Sequence, residues 1–262
     1  MPRSVEIKLS LPIVLPLLEL IRDHATAFEG EYRRLDQGPA SGQAGSPPES
    51  SHLQTHLADV RTFLALFNDD FSKTGAITFS EKTAHPGLRA CTLLRVRIRR
   101  EQLAAITDAT LETGLKPDAY TGAEHRSVMC YCFLATIQTL LIQNFPPTRG
   151  TGRSATLWTG IRGFLRPRRS RPTGSSMPTP DAVSESCQVA VLNDPVNLME
   201  YVTAVFQIVI GLPTDVAQQR MQEVHEAKSS IVWEGAQEKA EAYASEIRLW
   251  HLNAVVRPAE AK

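Results

Sequence analysis

The sequence lacks several features that would place it in a class at once. Its 28 basic residues are balanced by 28 acidic ones, so a formal net charge of zero gives no global attraction to nucleic acid or to an anionic membrane. Four cysteines among 262 residues are too few for a disulfide scaffold and show no CxxC spacing. Reduced thiols in a cytoplasmic compartment are therefore expected. Cys130 and Cys132 lie in an apolar run, where core packing is favoured over metal binding.

The sequence also lacks a convincing export signal or membrane span near its first residue. The apolar run Leu11–Leu18 is far shorter than the roughly 20 residues that cross a bilayer. Pro12 and Pro16 interrupt it, although Arg3 and Lys8 precede it as they would in a signal peptide. We interpret this run as part of a folded structure.

Hydrophobic periodicity in the first 145 residues predicts a mixture of strands and helices. Apolar and polar residues alternate over Val5–Leu11 and again over Leu94–Arg99, which predicts two strands. Each is followed by helical spacing, through Leu17–Phe28 and through Leu103–Leu111. Between them, Gln37–Ser51 is rich in Gly, Pro and Ser and predicts a flexible loop.

Two further helices are predicted in this region. The first runs over Leu53–Phe67 with one apolar face. The second runs over about Glu124–Asn144 and ends before Pro146 and Pro147. Its inward-facing residues are predicted to be Met129, Phe133, Ile137 and Leu140. Residues 1–145 are therefore expected to form one mostly helical α+β domain, in which we recognise no family.

The composition changes sharply between Pro146 and Pro180. This segment holds six prolines and seven arginines and has neither Asp nor Glu. Such a composition cannot bury enough apolar surface to fold alone, so residues 146–184 are predicted to be a basic, proline-rich linker. Its concentrated charge at Arg166–Arg171 is interpreted as a solvated tether, or alternatively as a docking site for an acidic surface or RNA.

The last 75 or so residues predict a compact domain. Strands are expected at Gln188–Leu192, Ile231–Trp233 and Ala254–Val256, and a helix at Gln237–Leu249. Between the first two strands, two more helices are expected. The order β-α-α-β-α-β gives a three-stranded sheet packed by helices, an α+β unit.

Local signals define the ends of those two helices. Asn197 is a good N-cap for the first, and Glu200 three residues later completes a capping box. Gly211 is expected to end it. Pro213 and Asp215 are then expected to open the second helix.

Two motifs in this region resemble the ClpS family of protease adaptors. Asn193-Asp194 is followed by Met199, and Met221-Gln-Glu-Val-His225 follows about one helix later. The resemblance covers about residues 185–262 and implies the ClpS fold, which is similar to the C-terminal domain of the ribosomal stalk protein. It implies an adaptor that binds N-degrons, proteins whose first residue is Leu, Phe, Tyr or Trp, and delivers them to a ClpA- or ClpC-type AAA+ unfoldase for degradation.

The resemblance also implies the binding residues. The free α-amino group of an N-degron needs convergent acceptors, and Asn193, Asp194 and His225 match the family's amine-binding positions. The apolar first side chain needs a pocket behind them. Its lining would be Met199, Val202, Met221, Val224 and Leu252.

Two positions depart from the family pattern. Pro195 stands where the family often has a second acidic residue after Asn-Asp. Lys228 stands where the family has a glycine after the motif histidine. Glycine there permits a left-handed helix end, a conformation that lysine adopts only at an energetic cost.

Nothing in the sequence predicts catalysis by this chain, a metal or another cofactor. His52 and His56 have helical spacing, but no neighbouring glutamate completes a metalloprotease motif, so a surface position is expected for both. Two alternatives to the N-degron adaptor remain open. One is a regulator of the Clp unfoldase whose client is supplied by the N-terminal domain. The other is a ribosome- or RNA-associated module.

Overall fold

The computed structural model describes residues 3–36, 47–147 and 186–259. Residues 3–147, the N-terminal part, are mostly helical with one two-stranded antiparallel sheet. Residues 186–259, the C-terminal part, form a three-stranded antiparallel sheet with helices. The predicted α+β class is confirmed. The predicted linker lies outside the described residues from residue 148 onward, so both interpretations of Arg166–Arg171 stay predictions.

The N-terminal part places its short sheet at one end of a group of packed helices. Strands Ser4–Lys8 and Ala76–Ser80 pair antiparallel, and the helix Glu81–Glu101 packs against both Pro47–Leu64 and Gly122–Asn144. The elements in chain order are β1 (Ser4–Lys8), α1 (Leu11–Asp36), α2 (Pro47–Leu64), α3 (Asp69–Thr74), β2 (Ala76–Ser80), α4 (Glu81–Glu101), α5 (Asp108–Thr113), a 3₁₀ turn (Pro117–Ala119) and α6 (Gly122–Asn144).

The strand predicted over Leu94–Arg99 is wrong, because these residues belong to α4. Alternation of apolar residues and arginines suggested a strand with one buried face, but Arg95 and Arg97 are themselves buried. Arg97 pairs with Glu31 and Glu101, and these partners make its burial possible. The strand was predicted on the assumption that all arginines in this segment face solvent, and that assumption is wrong.

Two other expectations for this part also need correction. The partner of β1 is β2, which sequence periodicity did not identify because only Ile77 and Phe79 face the core. The loop predicted over Gln37–Ser51 is too long, since α2 begins at Pro47. Its remaining residues, 37–46, lie outside the described part of the chain.

Helix α6 is the central helix of the N-terminal part. By length and composition it is the one helix among the described residues that could cross a membrane. In this fold it packs against α1, α4 and the C-terminal part. Of the inward-facing residues predicted for it, Ile137 is buried, and Met129 and Phe133 are partly buried against the core. The fully buried face is centred on Val128, Leu134 and Leu141 instead. The helix is apolar nearly all round, so its sequence did not define one face.

The C-terminal part has the predicted β-α-α-β-α-β order. The central strand of its sheet is the first in chain order, Ser186–Leu192, which pairs antiparallel with Ser229–Ala236 on one side and Asn253–Pro258 on the other. The elements are β3 (Ser186–Leu192), α7 (Met199–Val205) continued by a π-helical turn (Phe206–Ile210), α8 (Thr214–Ala227), β4 (Ser229–Ala236), α9 (Gln237–Leu249) and β5 (Asn253–Pro258).

The predicted ends of the helices are mostly confirmed. Gly211 ends the first helical segment in the left-handed conformation, with φ 79°. The capping box at Asn197 is wrong, because the N-cap residue is Leu198 and makes no side-chain cap. The Asn197 side chain instead donates a 3.2 Å hydrogen bond from Nδ2 to the carbonyl oxygen of His251. It ties the start of α7 to the turn before β5.

The two parts share one continuous hydrophobic core. Trp250, at the end of α9, is 2% exposed, and its ring lies 5.4 Å from the ring of His85 and 4.9 Å from the guanidinium of Arg89. The His56 ring lies 4.2 Å from the ring of His251. The surface position expected for His52 and His56 is therefore wrong, since both are half-buried near this contact.

Candidate functional site

The loop that follows β3 brings two of the predicted polar residues to one end of the sheet. The backbone N–H of Asn193 donates a 2.9 Å hydrogen bond to the carbonyl oxygen of Lys228, at the end of α8. The Oδ1 atom of Asp194 accepts a 2.8 Å hydrogen bond from the N–H of Val196, which turns the loop back on itself. Both side chains thus lie on a loop whose backbone is fixed at two points.

The carboxyl group of Asp194 is in an unusual environment for an acid. Burial raises its pKa, while the hydrogen bond from Val196 N–H and the positive charges of Arg95 and Arg99 oppose that rise. The negative charge of Asp108 raises the pKa of Asp194 further. A carboxylate held in this way is a strong acceptor for a cation, because little water competes for it.

His225 reaches the same place from the last turn of α8. The helix ends three residues later at Lys228, whose φ of 64° is left-handed. The sequence-based expectation of a strained lysine at this position is confirmed. This helix end turns the chain into β4 and lets the Lys228 carbonyl meet the loop after β3.

The apolar residues predicted for the pocket come from three different elements. Val202 and Val224 are 8% and 4% exposed and belong to α7 and α8, while Leu252, at 4%, precedes β5. Met221 is half-buried one turn before Val224. Met199 is 41% exposed, so its flexible side chain lies at the edge of the group rather than in the core.

All eight predicted site residues line one cavity of about 390 Å³. Of these eight, the polar residues are Asn193, Asp194 and His225, and the apolar ones are Met199, Val202, Met221, Val224 and Leu252. An apolar cleft with a few convergent polar groups is the usual form of a small-ligand site. The structure therefore brings together every site residue that the resemblance implied.

The N-terminal part forms another wall of this cavity, which the sequence did not predict. Contributors include Arg95, Leu111, Glu112, Leu115, Tyr131 and Cys132. The Tyr131 hydroxyl donates a 3.4 Å hydrogen bond to the carbonyl oxygen of Val196. The Nζ atom of Lys228 lies 3.8 Å from Oε1 of Glu112. These residues come from α4, α5, α6 and the segment just after α5, and no local pattern shows that they meet the loop after β3.

Within the described residues, no group of three or more His, Cys, Asp or Glu side chains could hold a metal ion. Two of the cysteines are packing residues in the hydrophobic core. Cys91 and Cys130 are buried, and burial raises the pKa of both thiols, to about 12 for Cys130. Cys132 is half-buried at the cavity wall.

Residues 183–253 match the family model of the ATP-dependent Clp protease adaptor protein ClpS. The ATP-dependent Clp protease adapter protein ClpS of Mycolicibacterium paratuberculosis is 38% identical over 88 residues, which are 31% of this chain and 84% of the relative. The chain belongs to the ClpS family.

Other ClpS proteins match over shorter segments. That of Corynebacterium efficiens is 38% identical over 69 residues, 26% of this chain and 68% of the relative. That of Streptomyces coelicolor is 47% identical over 51 residues, 20% of this chain and 53% of the relative. The similarity therefore lies in the C-terminal part, which we call the ClpS domain, and the N-terminal part remains unrecognised.

Proposed function

We propose that this protein is an adaptor for a Clp protease that binds N-degrons through its ClpS domain. The observation that carries the proposal is the shared cavity, in which three polar residues adjoin a group of five apolar ones. A primary ammonium has three donors and needs several acceptors, whereas an apolar first side chain needs a dry pocket. The cavity offers both within one site.

The polar end would bind the free α-amino group. Asp194 supplies a carboxylate whose Oδ1 atom is fixed by the N–H of Val196. His225 in its neutral form can accept one further N–H donor. The Asn193 side chain supplies an amide oxygen, while its backbone is held by Lys228. The rigid loop reduces the entropy lost on binding.

The apolar end would bind the first side chain of the N-degron. Burying a side chain of the size of Leu or Phe contributes about 1.5–3 kcal/mol, so the amine and the side chain are both needed for useful affinity. Met199 at the edge can move to fit aromatic or aliphatic residues. A bulky residue at the mouth would also disfavour β-branched first residues, whose second γ-atom needs space close to the backbone.

The family implies that the partner is a Clp AAA+ chaperone, and we propose a ClpA- or ClpC-type unfoldase in the cytoplasm. The ClpS family is not catalytic, in agreement with an adaptor rather than an enzyme, although the similarity covers only the ClpS domain. A regulator with a client of its own is the second candidate. It is favoured by the N-terminal wall of the cavity, which could change what the ClpS domain accepts.

The proposal is tested with peptides that differ only in their first residue. We expect those beginning with Leu, Phe, Tyr or Trp to bind, and those beginning with Ser or Glu not to bind, in a fluorescence anisotropy assay with the full chain. The same peptides fused to a folded reporter should be degraded by a Clp unfoldase–protease only when this protein is added. Binding without regard to the first residue would contradict the proposal.

Met199→Ala gives a sharper test of the pocket. If Met199 restricts the mouth, the variant should gain affinity for Ile- and Val-initiated peptides and lose little for Leu and Phe. If Met199 is ordinary packing, the melting temperature should fall and the Leu-to-Ile affinity ratio should stay the same. Thr203→Ala, which removes one exposed hydrogen bond a turn away and leaves the Met199 side chain in place, is the matched control.

A further inference from the structure

The wall that the N-terminal part contributes to the cavity carries charged residues that could take part in binding the N-degron. Arg95 lines the cavity and is only 2% exposed. Its Nη1 atom donates a 2.8 Å hydrogen bond to Oε1 of Gln138, and its guanidinium lies 4.4 Å from the centre of the Tyr131 ring. Among the described residues, no carboxylate lies within ion-pair distance of this buried cation.

Asp194 is the carboxylate on which the charge of Arg95 acts. The positive charge of Arg95 opposes the effect of burial on the pKa of Asp194. The same charge also offsets part of the attraction that Asp194 would exert on an incoming ammonium. A cation entering the cavity therefore meets a pair of opposite charges rather than an isolated anion.

Glu112 lies on the same wall and carries an accessible negative charge. It belongs to α5, lines the cavity, and its side chain is 36% exposed. Its Oε1 atom lies 3.8 Å from the Nζ atom of Lys228. The carbonyl oxygen of Lys228 accepts a hydrogen bond from Asn193, and Lys228 is three residues after His225. Because Glu112 contacts Lys228, it lies beside the polar end of the cavity.

The Lys228 ammonium shows that a primary ammonium fits beside Glu112. Its side chain is 66% exposed and the contact is long, so the pair is weak and open to exchange. A peptide's α-amino group has the same charge and the same three donors as a lysine side chain. It would replace Lys228 without leaving a buried charge unpaired.

We propose that Glu112 is a second carboxylate for the α-amino group of the N-degron, supplied by the N-terminal part, and that Lys228 competes with that amine. This inference rests on the proposed function and extends it. The negative charge of Glu112 compensates for the positive charge of Arg95, which offsets part of the attraction between Asp194 and an ammonium group. The N-terminal part thus completes the amine-binding end of a pocket that otherwise belongs to the ClpS domain.

The test uses the full chain and two substitutions with opposite expected effects. Glu112→Gln should weaken the binding of a Leu-initiated peptide roughly two- to fivefold, the usual effect of one partly exposed charge pair. Lys228→Gln should strengthen it by a similar or smaller factor. Both effects should shrink as salt is raised from 50 mM to 500 mM, because exposed charges are screened. Glu124→Gln, an exposed substitution at the start of α6, is the matched control.

The outcomes separate this proposal from the function on which it rests. If the unaltered chain binds free and N-acetylated Leu peptides equally well, both are overturned. If it prefers the free amine but Glu112→Gln and Lys228→Gln leave the affinity unchanged, the role of Glu112 alone is overturned. A melting temperature unchanged by Glu112→Gln, together with weaker binding, supports the proposal, and the opposite effect of Lys228→Gln excludes a purely structural explanation.

Discussion

The two parts of this protein bury very different side chains. In the N-terminal part, the buried polar and charged residues are His24, Asp59, Thr92, Arg95, Arg97, Ser127 and Gln138. Among the described residues of the ClpS domain, Ser230 is the one such residue. The N-terminal part therefore depends on polar partners inside its core, whereas the ClpS domain depends on apolar packing around a central strand. Substitutions of comparable size should accordingly affect the two parts in different ways.

The largest effect is expected at the buried ion pair of the N-terminal part. Arg89 donates hydrogen bonds of 2.7 and 2.9 Å to the two carboxylate oxygens of Asp59, which is 4% exposed. Asp59→Ala leaves the guanidinium without its partner, so it should reduce the free energy of unfolding by about 3–5 kcal/mol. Urea denaturation measures this loss.

Two further variants test the reason for that effect. Arg61→Ala removes the exposed pair with Glu29 and should cost less than about 1 kcal/mol. Replacing Asp59 and Arg89 together by Leu should recover much of the loss, because no unpaired charge remains. If Asp59→Ala reduced the free energy of unfolding no more than Arg61→Ala does, buried polar partners would not stabilise the N-terminal part in the way proposed.

Acid should weaken the contact between the two parts. Burial lowers the pKa of His56 to about 4 and lowers that of His251 well below its usual value, so both rings are neutral at pH 7. The unfolded chain binds these protons near pH 6.5, before the folded protein does. Stability should therefore be independent of these groups above pH 6.5 and fall as the pH is lowered from 6.5 to 4.

The size of this effect follows from the pKa shift of His56. At about 1.4 kcal/mol per pKa unit, the loss should be on the order of 2–3 kcal/mol at pH 4. His56→Leu should flatten the pH dependence of the urea midpoint between pH 6.5 and 4, whereas His125→Leu, at a half-buried position in the first turn of α6, should not. An unchanged slope in His56→Leu would show that this ring does not take part.

The ClpS domain should fold without the N-terminal part, as the predicted boundary near residue 185 implies. Its core contains its own strands, and Ile247 and Val189 are fully buried. Separation removes His85 and Arg89 from Trp250, which should cost about 1.5–3 kcal/mol of apolar burial. A fragment of residues 181–262 should show a cooperative thermal transition below that of the full chain. A broad, non-cooperative melt would make the two parts one folding unit.

The smallest effect concerns the strained end of α8. Lys228 has φ 64°, and a left-handed backbone costs a non-glycine residue roughly 1 kcal/mol. Lys228→Gly should stabilise the chain by up to that amount, while Lys228→Ala keeps the strain and should not. Thermal melts of the two variants under the same conditions provide the comparison, and equal melting temperatures would show that the strain is negligible.

The contrast between the two parts also explains what the sequence could predict. In the ClpS domain, the predicted helix Gln237–Leu249 agrees with α9 at both ends, because its helical spacing of apolar residues is a local pattern. In the N-terminal part, Arg95 and Arg97 misled the prediction, since their partners Gln138 and Glu31 are distant in sequence. Local patterns fail where polar residues are buried by tertiary contacts.

The candidate site shows the same limit. The resemblance to the ClpS family pointed to eight residues that do line one cavity. It gave no indication of Glu112 or Tyr131, because a contact between Glu112 and Lys228, or between Tyr131 and Val196, depends on how the two parts pack. Asn197 was assigned to a cap on local grounds and instead bonds to His251, for the same reason.

The account as a whole depends on recognition of a free amine. The most direct measurement is the affinity of the full chain for a Leu-initiated peptide before and after N-acetylation. Acetylation removes the charge and leaves Asp194 and His225 without a donor, at a cost of roughly 1–3 kcal/mol for each unsatisfied group. We expect binding of the acetylated peptide to be at least tenfold weaker, and Asp194→Asn to remove most of that difference. Equal affinity for the two peptides would contradict the account.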